Sequence, residues 1–260
     1  MKTMLRGIAV IVCSSAGLGF AAAPAGAQTP EVKQKPPMYT YVSNWTIPRA
    51  KWADIAKENA DTNKTLAKDL QSGTIVGYGD DENLVHTPDG STHDNWWSAM
   101  SLAGLLDVLE AFYKSGTVAS PALVSATKHS DQVLVARYYN WKAGSYKGAY
   151  TRASSYKLKA DAPSDAVEGI AKTFMVPVME KLLAEGAIVE YEIDQESVHT
   201  DSPSMFYLVY IAANSAGVDK AVGAVREAIR TTPLWGRTFN SLVDFDLHRD
   251  YLSVSNATYK

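Results

Sequence analysis

Residues 73–87 read GTIVGYGDDENLVHT and residues 186–200 read GAIVEYEIDQESVHT, and the two stretches align without a gap at an offset of 113 residues. They share eight of fifteen residues: Gly, Ile, Val, Tyr, Asp, Val, His and Thr. The same offset continues into the next segment, where it places Ala103-Gly104 on Ala216-Gly217. The same alignment thus holds through a segment with a strand pattern and a segment with a helix pattern. It predicts that the chain contains two copies of a single unit.

The second copy is longer than the first by a short insertion. His129-Ser130-Asp131 matches His248-Arg249-Asp250 at an offset of 119 residues, which is six more than the earlier offset of 113. The extra residues fall around Pro233-Leu234-Trp235-Gly236, directly before Arg237. Because loops on a fixed scaffold frequently carry functional residues, this insertion is a candidate for function. Either Arg237 or Arg249 could hold an anionic group of a substrate. The alternative is that these arginines pair with carboxylates on the surface.

Each copy is predicted to contain a strand, a helix, two strands, a helix and a strand. Alternating aromatic and polar residues over Tyr39–Thr46 predict the first strand, and a helical pattern follows until Gly73. In the second copy, Pro177 is expected to kink the first helix. The remaining predicted strands lie at 75–78, 95–100, 132–141, 150–158, 187–193, 205–212 and 251–259, and the remaining predicted helices at 102–112, 167–182 and 218–229.

This order of elements is that of the ferredoxin-like fold, with antiparallel strands and helices on one face. The predicted fold class is therefore α+β, with two tandem ferredoxin-like units at residues 38–143 and 144–260. One such unit leaves sheet edges uncovered, and two units remove those edges by closing into an intramolecular dimeric α/β barrel.

The element order, the duplication and the stretch VHT…THDNWWSAMSLAGLLDVLEAF (Val85–Phe112) resemble the dimeric α/β-barrel superfamily. That group has EthD-like, NIPSNAP-like, monooxygenase-like and chlorite-dismutase-like members, and the chain looks most like its fused, exported two-copy members. The resemblance covers residues 38–260 and brings no catalytic motif. It implies a pocket for a small molecule and, as an alternative, a haem held by an axial histidine and a distal arginine.

The N-terminus resembles a secretory signal. Lys2 and Arg6 precede an uncharged apolar run, and Ala25-Gly26-Ala27 matches the small-residue pattern of a cleavage site. We therefore expect a signal peptide at residues 1–27, a flexible polar leader at residues 28–37, and export to the periplasm or the medium. The apolar run is too short for a comfortable membrane span, and no second one follows.

Composition narrows the classes of function. The single cysteine, Cys13, lies inside the predicted signal, so the exported chain would have neither disulfides nor thiolate chemistry. Removing Lys2 and Arg6 changes the balance of basic to acidic residues from 25 against 28 to 23 against 28. This acidity argues against nucleic acid as a partner. A small-molecule ligand is the expected partner, and self-association stays open.

The candidate catalytic residues are His93, His248 and Asp250. On a strand, His248 and Asp250 share a face, so that the carboxylate can orient the imidazole and raise its basicity. His93 has no counterpart in the second copy, where Phe206 stands. The alternative is a structural role for the histidines. His86 corresponds to His199, and His129 corresponds to His248, so each pair can perform the same structural role in both copies.

The candidate substrate-binding residues are Trp96, Trp97, Tyr207 and Arg249. Large aromatic side chains beside a polar group are typical of a ligand pocket, although the two tryptophans can equally cap the end of the barrel. No metal site is predicted, because zinc needs three or four ligands and the His-x-Asp pairs lack a third.

The predicted function is that of an exported small-molecule-binding protein, with three alternatives left open. It could be a cofactor-free oxygenase, lyase or isomerase that acts on an apolar or aromatic substrate held between sheet and helices. It could instead be a haem enzyme of the chlorite-dismutase kind. The third alternative is a binding or structural module without catalysis.

Overall fold

A computed structural model describes residues 32–87, 90–199 and 203–260, with only the backbone for residues 233–235. Residues Val32–Lys260 form one compact unit. The predicted signal peptide, the start of the predicted leader and Pro88-Asp89 lie outside the described residues. Within residues 32–37, the Lys35 amide donates to the Arg137 carbonyl at 2.8 Å, and the Tyr139 hydroxyl donates to the Pro36 carbonyl at 2.8 Å.

The strands and helices lie close to their predicted positions. The strands are β1 Met38–Thr46, β2 Gly77–Asn83, β3 His93–Ala99, β4 Lys128–Trp141, β5 Gly144–Leu158, β6 Ile188–Val198, β7 Met205–Ala212 and β8 Val243–Tyr259. The α-helices are α1 Trp52–Ser72, α2 Leu102–Ser115, α3 Pro121–Val124, α4 Ala166–Ile170, α5 Val176–Ala184, α6 Ser215–Thr231 and α7 Pro233–Leu242. Helix α7 occupies the insertion of the second copy.

The predicted fold class of two tandem ferredoxin-like units is wrong. The eight strands form a single closed antiparallel barrel in the order β1-β3-β2-β8-β5-β7-β6-β4. Strand β2 pairs with β8, and strand β4 pairs with both β1 and β6, so hydrogen bonds continue around the whole circumference. Closure satisfies the backbone groups that a separate sheet would leave unpaired at its edges.

The helices cover the outside of the barrel in two groups. Helices α1 and α2 pack on β1, β2 and β3 over an apolar core that includes Leu66, Trp97 and Phe112. Helices α4 to α7 pack on β6, β7 and β8 over a second core that includes Met179 and Phe206. Since side chains alternate along a strand, every second residue points away from these cores into the barrel.

The local signals at the ends of the helices act as expected. Gly73 and Gly186 both adopt positive φ, at 84° and 73°, directly before a strand of the barrel. Ser101 caps α2 by accepting from the Gly104 amide, and Asn214 caps α6 by accepting from the Gly217 amide. The division into two repeats stays a prediction.

Pro177 stands in the first turn of α5, and the residues before it, Ala171–Met175, are π-helical. The proline cannot donate a backbone hydrogen bond, so the helix changes its pattern there, as expected of a proline inside a helical stretch. Among the described residues, no helix is long and apolar enough to cross a membrane.

Candidate functional site

Two cavities of similar size lie among the described residues. The first, the lumen cavity, lies inside the barrel and has a volume of about 660 Å³. Its lining comes from all eight strands and includes Thr40, Val42, Asp81, Asp94, Trp96, Leu134, Thr151, Glu190, Glu192, Tyr207, Val209, Ile211, Ser253 and Tyr259. Both its size and its mixture of apolar and polar groups suit a small organic molecule.

A ladder of aromatic rings fills one end of the barrel. Tyr139 stacks on Trp141, Trp141 stacks on Tyr259, and Tyr259 lies 5.6 Å from Trp96 between ring centroids. Two glycines of β2 leave room for these rings. An added Cβ would lie 2.5 Å from the Tyr259 ring at Gly77 and 2.6 Å from the Trp96 ring at Gly79. The opposite end is open and is lined by Thr46, Lys128 and Met205.

A column of carboxylates follows strand β6 along the lumen. The stretch EYEIDQE at residues 190–196 alternates, so its four acidic side chains share the face that points into the barrel. The intervening Tyr191 and Ile193 pack outward into the helix-covered core. Thr40 donates to Glu192 at 3.2 Å. Both carboxylate oxygens of Glu190 are buried without a hydrogen-bond partner among the described residues, as are both of Asp194.

Burial raises the pKa values of these acids. The pKa of Asp81, which faces β6 across the lumen, rises to about 8 because of burial and, in addition, the charges of Asp94 and Asp80. Burial raises the pKa of Glu192 to about 7. The pKa of Glu190 is also raised, first by burial and then by the charges of Glu192, Asp194 and Asp81. At neutral pH the lumen therefore holds a mixture of protonated and ionised carboxyl groups.

The second cavity, the outer pocket, lies between the barrel wall and helices α1 and α2 and has a volume of about 600 Å³. Its walls combine aromatic and aliphatic side chains with polar ones. The aromatic and aliphatic residues include Tyr41, Trp45, Trp97, Leu109, Phe112 and Tyr113, and the polar residues include Ser43, Glu58, Asn59, Asp61, Thr62, Thr65, Asn95, Thr117, Ser120 and His129. Apolar surface beside polar groups is the usual form of a binding site for a small molecule.

A polar network occupies the wall of the outer pocket. His129 Nε2 lies 2.9 Å from Asp131 Oδ1 and 3.0 Å from Ser43 Oγ, and Ser43 also donates to Asp131 at 2.9 Å. The His129 ring stacks on Trp45 with centroids 3.7 Å apart. Burial, and next a hydrogen bond with Asp131, raise the pKa of Tyr41.

This network leaves one nitrogen of His129 for a ligand. When Asp131 accepts from Nε2–H, the other nitrogen, Nδ1, carries a lone pair. Nδ1 has no hydrogen-bond partner among the residues that the structure describes. The arrangement can therefore accept a proton at Nδ1 while the carboxylate holds the ring in place.

The corresponding residues of the second half are arranged differently. His248 stacks on Tyr156 with centroids 4.5 Å apart, its Nδ1 donates to the Ser155 carbonyl at 2.9 Å, and its Nε2 lies 3.6 Å from Asp250. Asp250 also accepts from Arg152 at 2.7 Å. Neither His248 nor Asp250 lines the lumen cavity or the outer pocket. Both nitrogens of this imidazole thus face protein groups.

The predicted site residues lie in several places. Trp96 and Tyr207 line the lumen cavity, whereas Trp97 lines the outer pocket. His93 is buried beneath Trp52, with its Nδ1 3.0 Å from Thr92 Oγ1. The Arg249 guanidinium donates to the carbonyls of Asp246 and His248 and is exposed. The structure thus does not bring the predicted catalytic and substrate-binding residues together in one cavity.

Sequence reasoning missed both cavities' main polar groups. It considered a general-base role for His129 with Asp131 but favoured a structural one and left both off the candidate site, although Ser43 and Trp45 on β1 complete their network. It also missed the carboxylates of β6. The signal was present as strict alternation in residues 190–196, but such alternation normally indicates that the polar face meets solvent.

A metal or haem does not fit the described residues. No three His, Cys, Asp or Glu side chains among them are placed to hold a metal ion. The haem alternative requires a histidine and a distal arginine in one cavity. Of the described histidines only His129 lines a cavity, and no described arginine lines either cavity. No step is therefore derived through haem.

Comparison with known proteins shows the fold. No protein-family model matches the chain, and no curated protein sequence matches it. A solved structure of a putative monooxygenase from Lactobacillus acidophilus matches with a TM-score of 0.62 and 14% identity, covering 86% of this chain and 97% of that one. A putative monooxygenase from Fusobacterium nucleatum matches with a TM-score of 0.61 and 8% identity, covering 87% and 95% of the two chains.

An anthrone oxidase-like protein matches with a TM-score of 0.53 and 10% identity, covering 86% of this chain and 92% of that one. These three neighbours share the arrangement of the barrel with this chain. At these identities the likeness concerns the fold alone.

Proposed function

We propose that this protein binds an apolar or aromatic small molecule in the outer pocket and abstracts a proton from it without a cofactor. The observation that carries the proposal is the His129–Asp131–Ser43 network in the wall of an aromatic pocket. Trp97 and Phe112 provide apolar surface for the body of the ligand. Asn59 of α1 and Asn95 of β3 also line the pocket, where the Asn95 amide donates to Asn59 Oδ1 at 3.1 Å, and their remaining polar atoms can orient a polar substituent.

Proton abstraction is the first step shared by the candidate activities. An isomerase, a lyase and a cofactor-free oxygenase all begin by removing a proton from an acidic C–H or O–H group. In the proposal, His129 Nδ1 accepts that proton and Asp131 stabilises the resulting imidazolium from the other side of the ring. The names of the monooxygenase and anthrone oxidase-like neighbours favour the oxygenase type.

Anthrone is a suitable first probe, because the C–H group of its central ring is acidic and the product of its oxidation by O₂, anthraquinone, has a different absorbance. We expect the full chain to accelerate this conversion and His129→Ala to abolish the acceleration. His248→Ala is the matched control, because it removes the equivalent imidazole on the other half and leaves the outer pocket intact. Loss of activity in His248→Ala but not in His129→Ala would favour the sequence-based prediction instead.

Binding is separable from catalysis. Trp97→Leu removes an aromatic wall of the outer pocket, so we expect it to weaken anthrone binding, as measured by quenching of tryptophan fluorescence. His129→Ala should weaken binding much less than it slows the reaction. If anthrone and related phenols bind with unchanged affinity to Trp97→Leu, the outer pocket is not the binding site.

Export also belongs to the proposal. The charged start, the apolar run and Ala25-Gly26-Ala27 support it. We expect the mass of the protein recovered from the periplasm or medium of a bacterial host to correspond to a chain that begins at Gln28. Recovery of the uncleaved chain from the cytoplasm would contradict this part of the proposal.

A further inference from the structure

We propose that the lumen cavity is a second binding site, which shares only His129 of its described lining with the outer pocket, and that it takes an organic cation such as a primary ammonium group. The cavity places Asp81, Glu190 and Glu192 around one space of about 660 Å³. Asp194 lies fully buried on the same strand face. This concentration of acidic groups inside a barrel needs a compensating positive charge or bound protons.

Positive charge is scarce in the described lining of the lumen. Among the described residues that line it, Lys128 is the one lysine or arginine, and it lies at the open end, in the first position of β4. The charges that act on Glu190 come from Glu192, Asp194 and Asp81, and they add to the burial that raises its pKa. Arg152, on the neighbouring strand β5, pairs instead with Asp250.

The surroundings of the Glu190 carboxylate point to a ligand. Its side chain is 2% exposed, it lines the cavity, and neither of its carboxylate oxygens has a hydrogen-bond partner among the described residues. A buried carboxylate without a donor is costly, whereas an ammonium group brings three donors and a positive charge. Asp81 adds a further unpartnered oxygen, Oδ1, on the opposite wall.

The aromatic rings at the closed end complete the recognition chemistry. Trp96 and Tyr259 both line the cavity, and the faces of such rings attract organic cations. Gly77 and Gly79 have no side chains that would displace these rings. In the aligned positions of the second half, residues 190 and 192, the chain has glutamates instead. The wall that holds Trp96 and Tyr259 thus carries rings together with Asp81, and the facing wall carries Glu190 and Glu192.

An organic cation fits better than a metal ion. The described acids are not arranged as a set of three metal ligands. A metal ion needs its oxygens at one short distance around a point, whereas an alkyl or aryl ammonium can donate to separate carboxylates and place its carbon body against Val209 and Ile211. The expected ligand is therefore an amine with an apolar or aromatic body.

Isothermal titration of the full chain with phenethylamine, and with the neutral 2-phenylethanol of similar shape, tests this proposal. We expect phenethylamine to bind at least about tenfold more tightly than the alcohol, because one hydrogen-bonded charge pair contributes about 1.5–3 kcal/mol. Protons should be released on binding at pH 7, since a cation lowers the pKa values of the lumen acids. Measurement in two buffers of different ionisation enthalpy detects that release.

Variants locate the site. Glu190→Gln should weaken phenethylamine binding about tenfold or more, and Glu192→Gln should weaken it as a second, independent variant. Glu227→Gln, on the exposed surface of α6, is the matched control and should bind normally. Trp97→Leu, in the outer pocket, should also bind normally, so failure of this proposal is distinguishable from failure of the proposed function.

Four outcomes would overturn the proposal. The amine and the alcohol could bind equally, or neither could bind, in which case the lumen acids are simply protonated. Amine binding could also persist unchanged in both Glu190→Gln and Glu192→Gln, or disappear in Trp97→Leu. The last result would place the amine in the outer pocket.

Discussion

Asp81 shows how a single buried carboxyl group links stability to pH. Its pKa is 3.8 in an unperturbed chain and about 8 in the folded protein, where burial is the main cause and the charges of Asp94 and Asp80 add to it. The nearby hydroxyls of Ser255 and Thr151 act in the opposite direction and lower this pKa. A carboxyl group with a raised pKa binds more protons in the folded state, so the free energy of unfolding falls as the pH rises.

We therefore expect the melting temperature to fall between about pH 4 and about pH 8, the range between these two pKa values. Asp81→Asn should flatten this dependence and melt higher than the unmodified chain at pH 8, because an amide cannot ionise. For a chain of this size, 1 kcal/mol corresponds to about 2–4 °C. Scanning calorimetry at pH 5 and pH 8 makes the comparison. Glu227→Gln should leave the dependence unchanged, and a steeper dependence in Asp81→Asn would contradict the assignment.

Gly104 and Gly217, which occupy corresponding positions in the two predicted copies, provide a second test at the scale of single residues. A Cβ added at Gly217 would lie 2.2 Å from the Ala187 carbonyl oxygen, whereas at Gly104 the closest atom is the Thr74 carbonyl oxygen at 3.1 Å. Both obstacles are backbone atoms, which cannot rotate away as a flexible side chain can.

We expect Gly217→Ala to destabilise the protein by about 2–3 kcal/mol or more, because overpacking costs of that order arise where neighbours cannot move. Gly104→Ala should cost clearly less, since a shift of a few tenths of an ångström relieves its contact. Urea unfolding of both variants measures the difference. Equal losses would mean that the two helices do not approach the barrel as described.

At the scale of elements, the sequence was informative about positions and poor about surroundings. The alternation in Tyr39–Thr46 and the glycine at position 73 located β1 and the end of α1 correctly, because these signals are local. Helix α7 and the full length of β8 were not predicted. Helix α7 begins at Pro233 within the insertion, where no counterpart in the first half offered guidance.

The orientation of a strand depends on what covers it. Residues 190–196 predict a strand with one acidic face, and the simplest expectation places that face in water. In the structure, helix α5 covers the other face, where Tyr191 donates to Glu180 at 2.6 Å, and the acids point into the barrel. Tertiary packing decides which face of the strand points into the barrel, and no local sequence pattern indicates it. The same limit explains why Trp96 and Trp97, adjacent in sequence, line different cavities.

At the scale of the whole molecule, closure of the barrel depends on strand β8. Its last seven residues, Ser253–Tyr259, pair with β2 on one side and with β5 on the other. Glu82 pairs with Val254, and these two positions lie 172 residues apart in the sequence (254 − 82). Local sequence patterns do not specify such distant pairs, which is why the sequence indicated two ferredoxin-like units that close on each other and not the strand order of one continuous barrel.

An engineered disulfide tests that closure. With Cys13→Ser, the introduced cysteines are the only ones in the chain. Glu82→Cys with Val254→Cys places two thiols on directly paired residues, where strand partners lie about 4.5–5.5 Å apart and can form a disulfide. We expect spontaneous oxidation and about 2–4 kcal/mol of stabilisation that reducing agent removes, because the crosslink restricts a long loop of the unfolded chain.

The control, Glu82→Cys with Asp246→Cys, uses a residue of β8 that does not pair with β2 and should stay reduced. Oxidation of the control pair but not of the 82–254 pair would show that β2 and β8 do not close the barrel, and the lumen cavity would then lose one of its walls.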